Sequence, residues 1–530
     1  MAYPEVIIPP SVKPESPCEP SLMDEQTTDF RPRFGRGTTQ RQVWADPTWG
    51  WKVRFRGLAS ADRALVRAAI LGARGKAANI RMTPGLPLRG SFPATELLTN
   101  NDFSNGTTGW TIGNAVLSIS DRVARLTYNG GAGSQPFFYQ AVAGTQYAPY
   151  ALRGMMADSP QTVGLSVGPS LTYGSASAQA YNATRGLRTV SAVLDSGSAQ
   201  NQFPVAFSSN SGFSAGAYID CAWSSLSRCA LVDNGPNALT YSDQIDNAAW
   251  TKTGVTVTGN YYAAPDGTVT ADRVIEDTST GEHYVVQAAS KSAVAQDWCL
   301  CVALSKGDVT SLRDRAQLRV VGPGGTDGGV ALFDLSAGSV VSTTTAGGGT
   351  NSRSFMVSMG NGWFMCALVV RVPSSVTTVQ AVVNLVENPT TTTYTGTSSR
   401  NIGMWRATLA QSSLPVRLTQ TTTTATTGTA QSGGQLYVKG LPVSTSGLLL
   451  AGDFFEINGE LKQCTASLDS DAAGLGVLSF RPGLWAPVAD NDPVIILNPM
   501  GRFSLASNPR IVENYGQYTD FELDLVEAGP

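Results

Sequence analysis

Short runs in which apolar and polar residues alternate dominate this chain. In TWGWKVRFR (48–56), aromatic and aliphatic residues occupy every second position, and most positions between them are basic. The chain ends on a similar run, YTDFELDLVEA (518–528), whose intervening residues are mainly acidic. A period of two residues is typical of β-strands with one buried and one solvent-exposed face. The pattern therefore predicts a strand near each end of the chain.

One segment has a helical pattern instead. SADRALVRAAILGA (60–73) combines good helix formers with glycines close to its end, so we expect a helix there. The residues expected to form its buried stripe are Leu65, Ala68, Ala69 and Gly72. The Pro-rich residues 1–30 are expected to form an extended, irregular arm, because proline lacks a backbone donor.

The middle of the chain contains one pattern twice. The first copy opens with ELLTNNDFSNGTTGWTIGNAVLSI and the second with NALTYSDQIDNAAWTKTGVTVTG; both run from Leu-Thr through Asp and Asn to Trp-Thr. Their far ends, AYIDCAWSSL and RNIGMWRATL, are both centred on a tryptophan. Chance similarity between Ser- and Thr-rich segments is the alternative, but agreement at both ends favours a duplicated all-β module. We expect the copies at 94–233 and 237–420.

Composition also favours a mainly β fold. Charged residues make up 15% of the chain, which is few for long amphipathic helices, while the 55 glycines suit tight turns. Asn361-Gly362 and Asn458-Gly459 each separate two alternating runs, and both predict hairpin turns. The Thr-rich segment 421–432 has the composition of a linker.

The two ends of the chain carry opposite charge. Residues 1–90 contain 14 Lys and Arg against 8 Asp and Glu, whereas residues 440–530 contain 4 against 12. Either two surfaces of one folded unit differ in sign, or basic and acidic faces meet between subunits of a ring. The net charge of −3 favours no nucleic-acid partner. The sequence shows neither a signal-peptide pattern nor a membrane-length apolar run, so no membrane insertion is expected.

The second copy resembles the carbohydrate-binding-type jelly-roll modules of bacteriophage tail proteins. The resemblance rests on ALTYSDQIDNAAW, AAPDGTVTADRV, GNGWFMCAL, IGMWRATL and LPVRLTQT, which follow one another in this order. It implies a β-sandwich that binds a sugar. The first copy resembles the same family through LLTNNDF and the strand around Trp223, but it lacks counterparts of PDGT and GNGW.

The flanking segments resemble the distal tail proteins of phages with long non-contractile tails. The matching stretches are WGWKVRF, ALVRAAILGARGKAANIRM, GDFFEINGELKQCTA, GVLSFRPGL and FELDLVEA. The resemblance implies that residues 1–92 and 433–530 form one discontinuous β-rich core, a sandwich or barrel with one helix, into which both jelly rolls are inserted. It also implies a homo-oligomeric ring, usually a hexamer, which contacts the tail tube protein and the baseplate hub or other tail-tip proteins.

These features predict a virion structural protein of the phage tail tip, assembled in the host cytoplasm, whose modules bind host-surface polysaccharide. A purely structural decoration protein without sugar binding and a polysaccharide depolymerase remain as alternatives. The chain has one histidine, His283, so a His-dependent nucleophile is not expected. Glycoside hydrolysis needs only two carboxylates, for which Asp272, Glu276 and Asp277 are candidates. Their pattern is that of an ordinary strand and turn, so we expect no enzyme.

No cofactor is expected. Two pairs, Asp102 with Asn105 and Asp243 with Asp246, have the oxygens that a structural Ca²⁺ would need, but turn-forming side chains explain them as well. The seven cysteines lack metal-ligand spacing, and we expect buried free thiols. The two cysteines of WCLCVAL should point to the same face of a strand.

Aromatic side chains are the natural contacts for a sugar, because their rings stack on its apolar face. The tryptophans of the module pattern are expected in the core, and they are Trp110, Trp223, Trp250, Trp363 and Trp405. Adjacent aromatics on a strand point to opposite faces, so one of each group should be exposed. The candidate ligand contacts are therefore Tyr261, Tyr262, Phe137 and Tyr139.

Overall fold

The structure is a computed structural model. It describes residues 5–15, 20–23, 27–30, 40–43, 48–73, 78–83, 85–113, 115–120, 123–129, 137–156, 163–167, 178–182, 186–193, 202–209, 218–307, 313–387, 391–514 and 518–528. Within these ranges the chain is mainly β with one α-helix, as predicted.

The chain before the first module forms short strands and the helix. They are β1 Glu5–Ile7, β2 Pro20–Met23, β3 Thr27–Phe30, β4 Gln40–Val43, β5 Thr48–Phe55, α1 Ser60–Ala73 and β6 Asn79–Met82. The strand predicted at 48–56 and the helix predicted at 60–73 are confirmed. The prediction of an irregular arm is wrong in part, because β1 pairs with β6 and β2 pairs with β5.

The buried face of α1 differs from the predicted stripe. Its buried residues are Val66, Ala69, Ile70 and Ala73. Of the predicted residues only Ala69 belongs to this face, since Ala68 and Gly72 are exposed and Leu65 is partly buried. The stripe is rotated by one position because burying Val66 and Ile70 removes more apolar surface from water.

Ten strands of module one lie in the described ranges, and β17 follows them. Their bounds are β7 Thr111–Gly113, β8 Ala115–Ser120, β9 Val123–Tyr128, β10 Phe137–Ala143, β11 Pro149–Met156, β12 Val163–Val167, β13 Ala178–Asn182, β14 Gly186–Val193, β15 Gln202–Ser209, β16 Tyr218–Arg228 and β17 Ala230–Val232. Two five-stranded sheets, β7-β10-β15-β12-β13 and β8-β9-β16-β11-β14, form the module. Because β17 pairs outside both sheets, the sheets of module one end at β16 rather than near residue 233.

Module two contains the longer strands. Their bounds are β18 Thr251–Thr253, β19 Val255–Tyr262, β20 Ala271–Glu276, β21 Thr280–Ser290, β22 Gln296–Lys306, β23 Arg315–Val321, β24 Gly328–Asp334, β25 Ser339–Ala346, β26 Thr350–Gly360, β27 Trp363–Val372, β28 Thr378–Leu385, β29 Thr393–Thr395 and β30 Asn401–Ala410. One sheet has the order β18-β21-β28-β23-β24-β25, with β29 beside β21, and the other has the order β19-β20-β30-β22-β27-β26.

The two modules have the same strand order. The strands β7 to β16 correspond, in chain order, to β18 to β24, β27, β28 and β30, and each pairing in module one has its counterpart in module two. Strands β25 and β26 are additions, one at an edge of each sheet, and they account for much of the greater length of the second copy. This is the arrangement that a duplicated module requires.

Matching hydrogen bonds place the copies in register residue by residue. The backbone N–H of Thr99 donates to Oε1 of Gln140 at 3.0 Å, and that of Thr240 donates to Oε1 of Gln287 at 2.7 Å. In return, each Gln side chain donates to the carbonyl of its Thr, at 2.6 and 3.0 Å. Gln140 and Gln287 therefore occupy equivalent positions on β10 and β21.

The prediction that the module tryptophans lie in the sandwich cores is confirmed for Trp110 and Trp250. The indole N–H of Trp110 donates to the carbonyl of Asn100 at 3.2 Å, and that of Trp250 donates to the carbonyl of Tyr241 at 3.0 Å. Both carbonyl residues have a φ of 49°, so the repeated Leu-Thr…Trp pattern folds the same loop twice. The other three, Trp223, Trp363 and Trp405, are also buried, but they pack in clusters outside the sandwich cores.

The chain after module two forms a barrel and completes a terminal sheet. Its strands are β31 Gln435–Lys439, β32 Phe454–Ile457, β33 Glu460–Cys464, β34 Gly476–Arg481, β35 Pro493–Ile495, β36 Gly501–Leu505, β37 Arg510–Asn514 and β38 Tyr518–Glu527. The closed barrel is β17-β31-β34-β33-β32-β35, and the terminal sheet is β1-β6-β36-β38-β5-β2 with β37 beside β38. Strands from both ends of the chain therefore share one sheet.

The opposite charges of the two chain ends meet within this sheet. Lys52 lies opposite Asp524 in the pairing of β5 with β38. In the neighbouring pair, Nε of Arg54 is 3.2 Å from Oε1 of Glu522. At these positions the basic face predicted for β5 and the acidic face predicted for β38 neutralise each other inside one chain.

Both modules dock through the same one of their two sheets. In module one, Trp223 on the outer face of β16 packs with Ile7 of β1 and with Met500, which precedes β36, so it contacts the terminal sheet. In module two, Cys301 on the outer face of β22 belongs to a cluster that includes Ala473 near the barrel. Since β11 corresponds to β22 and β16 to β30, the equivalent sheet is used for docking in each copy.

A buried carboxylate connects three parts of the fold. Oε2 of Glu456 on β32 accepts a hydrogen bond from Arg153 on β11 at 2.7 Å, and Oε1 accepts one from Arg81 on β6 at 3.2 Å. The backbone N–H of Met500 donates to the same carboxylate at 2.8 Å. Arg153 is fully buried, and burial lowers the pKa of its guanidinium. Module one, the barrel and the terminal sheet thus share one ion network.

We expect Glu456→Gln to destabilise the protein by roughly 3 kcal/mol, because it removes the buried carboxylate charge that two buried guanidinium groups share. Urea unfolding followed by tryptophan fluorescence measures the loss. The matched control is Glu522→Gln, whose half-exposed pair with Arg54 should contribute less than about 1 kcal/mol. Equal destabilisation by the two variants would contradict the proposed role of Glu456.

Candidate functional site

The module faces opposite the docking surfaces form the candidate site. In module two this face belongs to the sheet of β18, β21, β28, β23, β24 and β25. Tyr284 of β21 lies opposite Asn384 of β28, which lies opposite Gln317 of β23. In the next row, Arg319 of β23 lies opposite Val382 of β28. Polar and aromatic side chains from three adjacent strands therefore meet on one surface.

This face is recessed. Val382, Asn384 and Leu332 point away from the sandwich core, since the residues next to them on each strand belong to that core. Their exposed fractions are nevertheless only 3%, 0% and 4%. Side chains at the centre of the face are therefore covered by neighbouring side chains, among them Arg319, which contacts Asn384.

An ion pair organises the polar groups of the face. Both terminal nitrogens of Arg319 contact the carboxylate of Glu282, each at 3.1 Å. The same guanidinium donates to Oδ1 of Asn384 at 3.4 Å and lies 5.7 Å from the centre of the Tyr284 ring. Within the described part of the chain, Nδ2 of Asn384 is buried and has no hydrogen-bond partner.

This arrangement has the chemistry that a sugar needs. The Asn384 amide is a donor whose hydrogens are unused, and the Glu282 carboxylate and Gln317 amide have lone pairs for hydroxyl groups. The Tyr284 ring offers a flat apolar surface beside them. A buried donor without a partner costs free energy, which a ligand hydroxyl would recover.

Two predicted contacts lie on the equivalent face of module one. Since Gln140 corresponds to Gln287, Phe137 takes the position of Tyr284 and Tyr139 takes that of Val286. The rings of Phe137 and Tyr139 are 5.9 Å apart and half-buried, while Phe138 between them is buried in the core. The strand alternation expected for these three aromatics is therefore confirmed.

The other two predicted contacts lie on the opposite sheet of module two. Tyr261 is 45% exposed, and its ring lies 4.8 Å from the guanidinium of Arg273. Tyr262 is half-buried, and its hydroxyl donates to Oδ1 of Asn401 at 2.7 Å. The side chain of Tyr262 packs in a cluster with the buried Trp405. The structure therefore does not bring the two tyrosines together with the recessed face.

Sequence reasoning missed Tyr284, Arg319 and Asn384. A signal was present, because polar residues occupy alternate positions in otherwise apolar strands such as RAQLRV (315–320). The alternation shows that each strand has a polar outer face. It does not show which strands are neighbours, and the register that joins these side chains comes only from the tertiary structure.

The carboxylates considered for glycoside hydrolysis are engaged in structural contacts. Asp272 is buried and accepts three backbone N–H groups at 2.6, 2.9 and 3.3 Å, and burial raises its pKa. Glu276 is buried and accepts from Arg313 at 2.8 Å and from the Tyr394 hydroxyl at 3.0 Å. Asp277 accepts a backbone N–H within its own turn, at 2.8 Å. These contacts leave no open pair of carboxylates at this strand.

His283 and the carboxylates considered for Ca²⁺ also have local explanations. His283 is buried, and its ring stacks on Tyr394 at 4.4 Å. Asp102 accepts the hydroxyl of a neighbouring serine at 2.7 Å, and Asp243 pairs with Arg406 at 3.1 Å. In the described ranges, no group of three or more acidic, His or Cys side chains is placed to hold a metal.

The six cysteines within the described ranges are buried free thiols, as predicted. Sγ of Cys299 lies 3.4 Å from Sγ of Cys301, which confirms that both point to the same face of β22. Cys18 lies outside the described residues.

Comparisons with known proteins find only weak structural neighbours. No family model and no curated protein matches the chain. The tandem CBM22-1–CBM22-2 domain of Paenibacillus barcinonensis Xyn10C is 10% identical over 61% of this chain and 99% of that one, with a TM-score of 0.21. The enzymatically active domain of tailspike protein 4 of bacteriophage CBA120 is 16% identical over 33% of this chain and 21% of that one, with a TM-score of 0.20.

A fucolectin from striped bass (Morone saxatilis) serum is 10% identical over 60% of this chain and 96% of that one, with a TM-score of 0.16. Weak structural neighbours therefore include a phage tailspike domain and sugar-binding β domains. Among the described residues, no helix has the length and apolarity to cross a membrane.

We expect Asp272→Asn to lower the stability of module two by about 1–3 kcal/mol, because the amide cannot accept all the backbone donors that the carboxylate accepts. Urea unfolding measures this, and Asp277→Asn is the control, since that side chain is 45% exposed. A folded Asp272→Asn variant that no longer releases reducing sugar from host polysaccharide, where the unmodified chain does, would support a depolymerase instead.

Proposed function

We propose that this chain is a structural protein of a phage tail tip whose two jelly-roll modules bind polysaccharide on the host surface. The observation that carries the proposal is the shared docking mode of the modules. Each copy packs against the rest of the chain through the equivalent sheet, so the other sheet of each copy is left for a ligand. In module two that sheet holds Tyr284, Arg319 and Asn384 in a recessed face.

The terminal sheet and the barrel are proposed to build a homo-oligomeric ring between the tail tube protein and the baseplate hub, with six subunits as the resemblance to distal tail proteins implies. Support comes from the way in which residues near both ends of the chain form one sheet around the inserted modules. In this arrangement the modules project from the ring towards the host. The chain acts by binding, and the engaged carboxylates of β20 favour this role over hydrolysis.

We expect Tyr284→Ala and Asn384→Ala each to weaken binding to the recognised host glycan at least tenfold, because each removes a stacking surface or a buried donor from the face. A glycan array with the full chain, followed by titration of any sugar that binds, measures the effect. Tyr437→Ala is the matched control, since Tyr437 is 45% exposed on the barrel, far from this sheet in the chain.

Two results would separate the alternatives. If the unmodified chain binds no host glycan and the adsorption of particles is unchanged by Tyr284→Ala, the modules are purely structural. If Tyr261→Ala abolishes binding while Tyr284→Ala does not, the ligand site lies on the opposite sheet of module two, where the sequence alone placed it.

A further inference from the structure

A cavity of about 600 Å³ lies where module one, module two and the barrel region meet. Module one contributes the turn 145–148 and Arg228, module two contributes residues 352–355 of β26, and the chain after β31 contributes residues 440–443. The volume falls within the range of small-molecule sites, which is about 300–1,000 Å³. This cavity is separate from the recessed face proposed for glycan.

The charged side chains that line the cavity are all cationic. The residues that line it include two arginines, Arg228 and Arg353, and no carboxylate. The guanidinium of Arg353 from module two lies 3.5 Å from the centre of the Tyr147 ring of module one, and it also donates to the carbonyl of Ser413. This cation–π contact holds the two modules against each other at the cavity.

Of the two arginines, Arg228 is the one without a carboxylate partner or a cation–π contact among the described residues. It is half-buried, its Nε is buried without a hydrogen-bond partner, and no carboxylate of the described chain forms an ion pair with it. Burial lowers the pKa of its guanidinium. Withdrawing a cation from water without a countercharge is costly, so a bound anion would stabilise this position. Arg228 also lines an adjoining cavity of about 300 Å³.

The remaining walls are largely apolar. They are formed in part by Phe355, Leu414, Leu441 and Pro442. Val443, at 54% exposed, is also among the lining residues. A fully hydrated inorganic ion would leave these walls unused. The combination suits a ligand with one charged group and a partly apolar body.

We propose that this junction cavity binds a small organic anion, with a carboxylate or phosphate on Arg228 and a sugar-sized body against the apolar walls. Acidic polysaccharides supply the carboxylate form, and phosphate-linked polyols of cell walls supply the phosphate form. The proposal does not depend on the recessed face, because the two sites share no residue. Since three units line the cavity, a bound anion would also stabilise their relative positions.

Calorimetric titration of the full chain with glucuronate, glycerol 1-phosphate and uncharged glucose tests this site. We expect saturable binding of at least one anion, weakened by added salt, and none of glucose. Arg228→Gln should weaken that binding at least tenfold. The matched control, Arg510→Gln, should leave it unchanged, because Arg510 is a largely exposed arginine of the terminal sheet.

Binding of glucuronate alone identifies a carboxylate ligand, and binding of glycerol 1-phosphate alone identifies a phosphate ligand. If Arg228→Gln does not fold, Val443→Trp replaces it, since a bulkier side chain should narrow the cavity with every charge in place and weaken the same binding. The proposal is overturned if neither anion binds the unmodified chain. It is equally overturned if binding persists at full strength in the folded Arg228→Gln or Val443→Trp variant.

Discussion

Glu456 holds the fold together at the point where three of its parts meet. Its carboxylate lies between Arg153 of module one and Arg81 of the terminal sheet, which are 303 and 375 residues from it along the chain. A charge withdrawn from water is tolerated only with well-placed partners, so the network is satisfied in one relative placement of the three units. Module one is therefore a fixed part of the structure rather than a domain on a flexible tether.

Docking decides which surfaces are left to bind a ligand. Trp223 and Trp405 illustrate this, because they occupy equivalent positions and both point away from the core of their sandwich. Trp223 packs against Ile7 and Met500, whereas Trp405 is covered by Tyr262 and neighbouring residues of its own module. The outer face of the equivalent sheet is thus covered at this position in both copies. In module one the covering residues lie outside the module, and in module two they belong to the module itself. The opposite sheets keep their outer faces, one with Phe137 and the other with the equivalent Tyr284.

Local signals in the sequence were reliable where one interaction decides the structure. Asn361-Gly362 and Asn458-Gly459 form the predicted hairpin turns, because both residues of each pair adopt positive φ, which few other residues tolerate. Helix α1 has its predicted bounds. Its buried face was misassigned because two overlapping stripes have helical spacing, and the terminal sheet selects the one with Val66.

By itself, the sequence determined the mainly β character, the strands and turns, and the repeated Leu-Thr…Trp pattern, because these follow from alternation and from contacts within short segments. It also predicted, from strand alternation, that Phe137 and Tyr139 lie on the face opposite Phe138. Only the tertiary structure decided that Tyr284 and Asn384, a hundred residues apart, lie side by side. Register between distant strands depends on the packing of a whole sandwich core, and no local pattern encodes it.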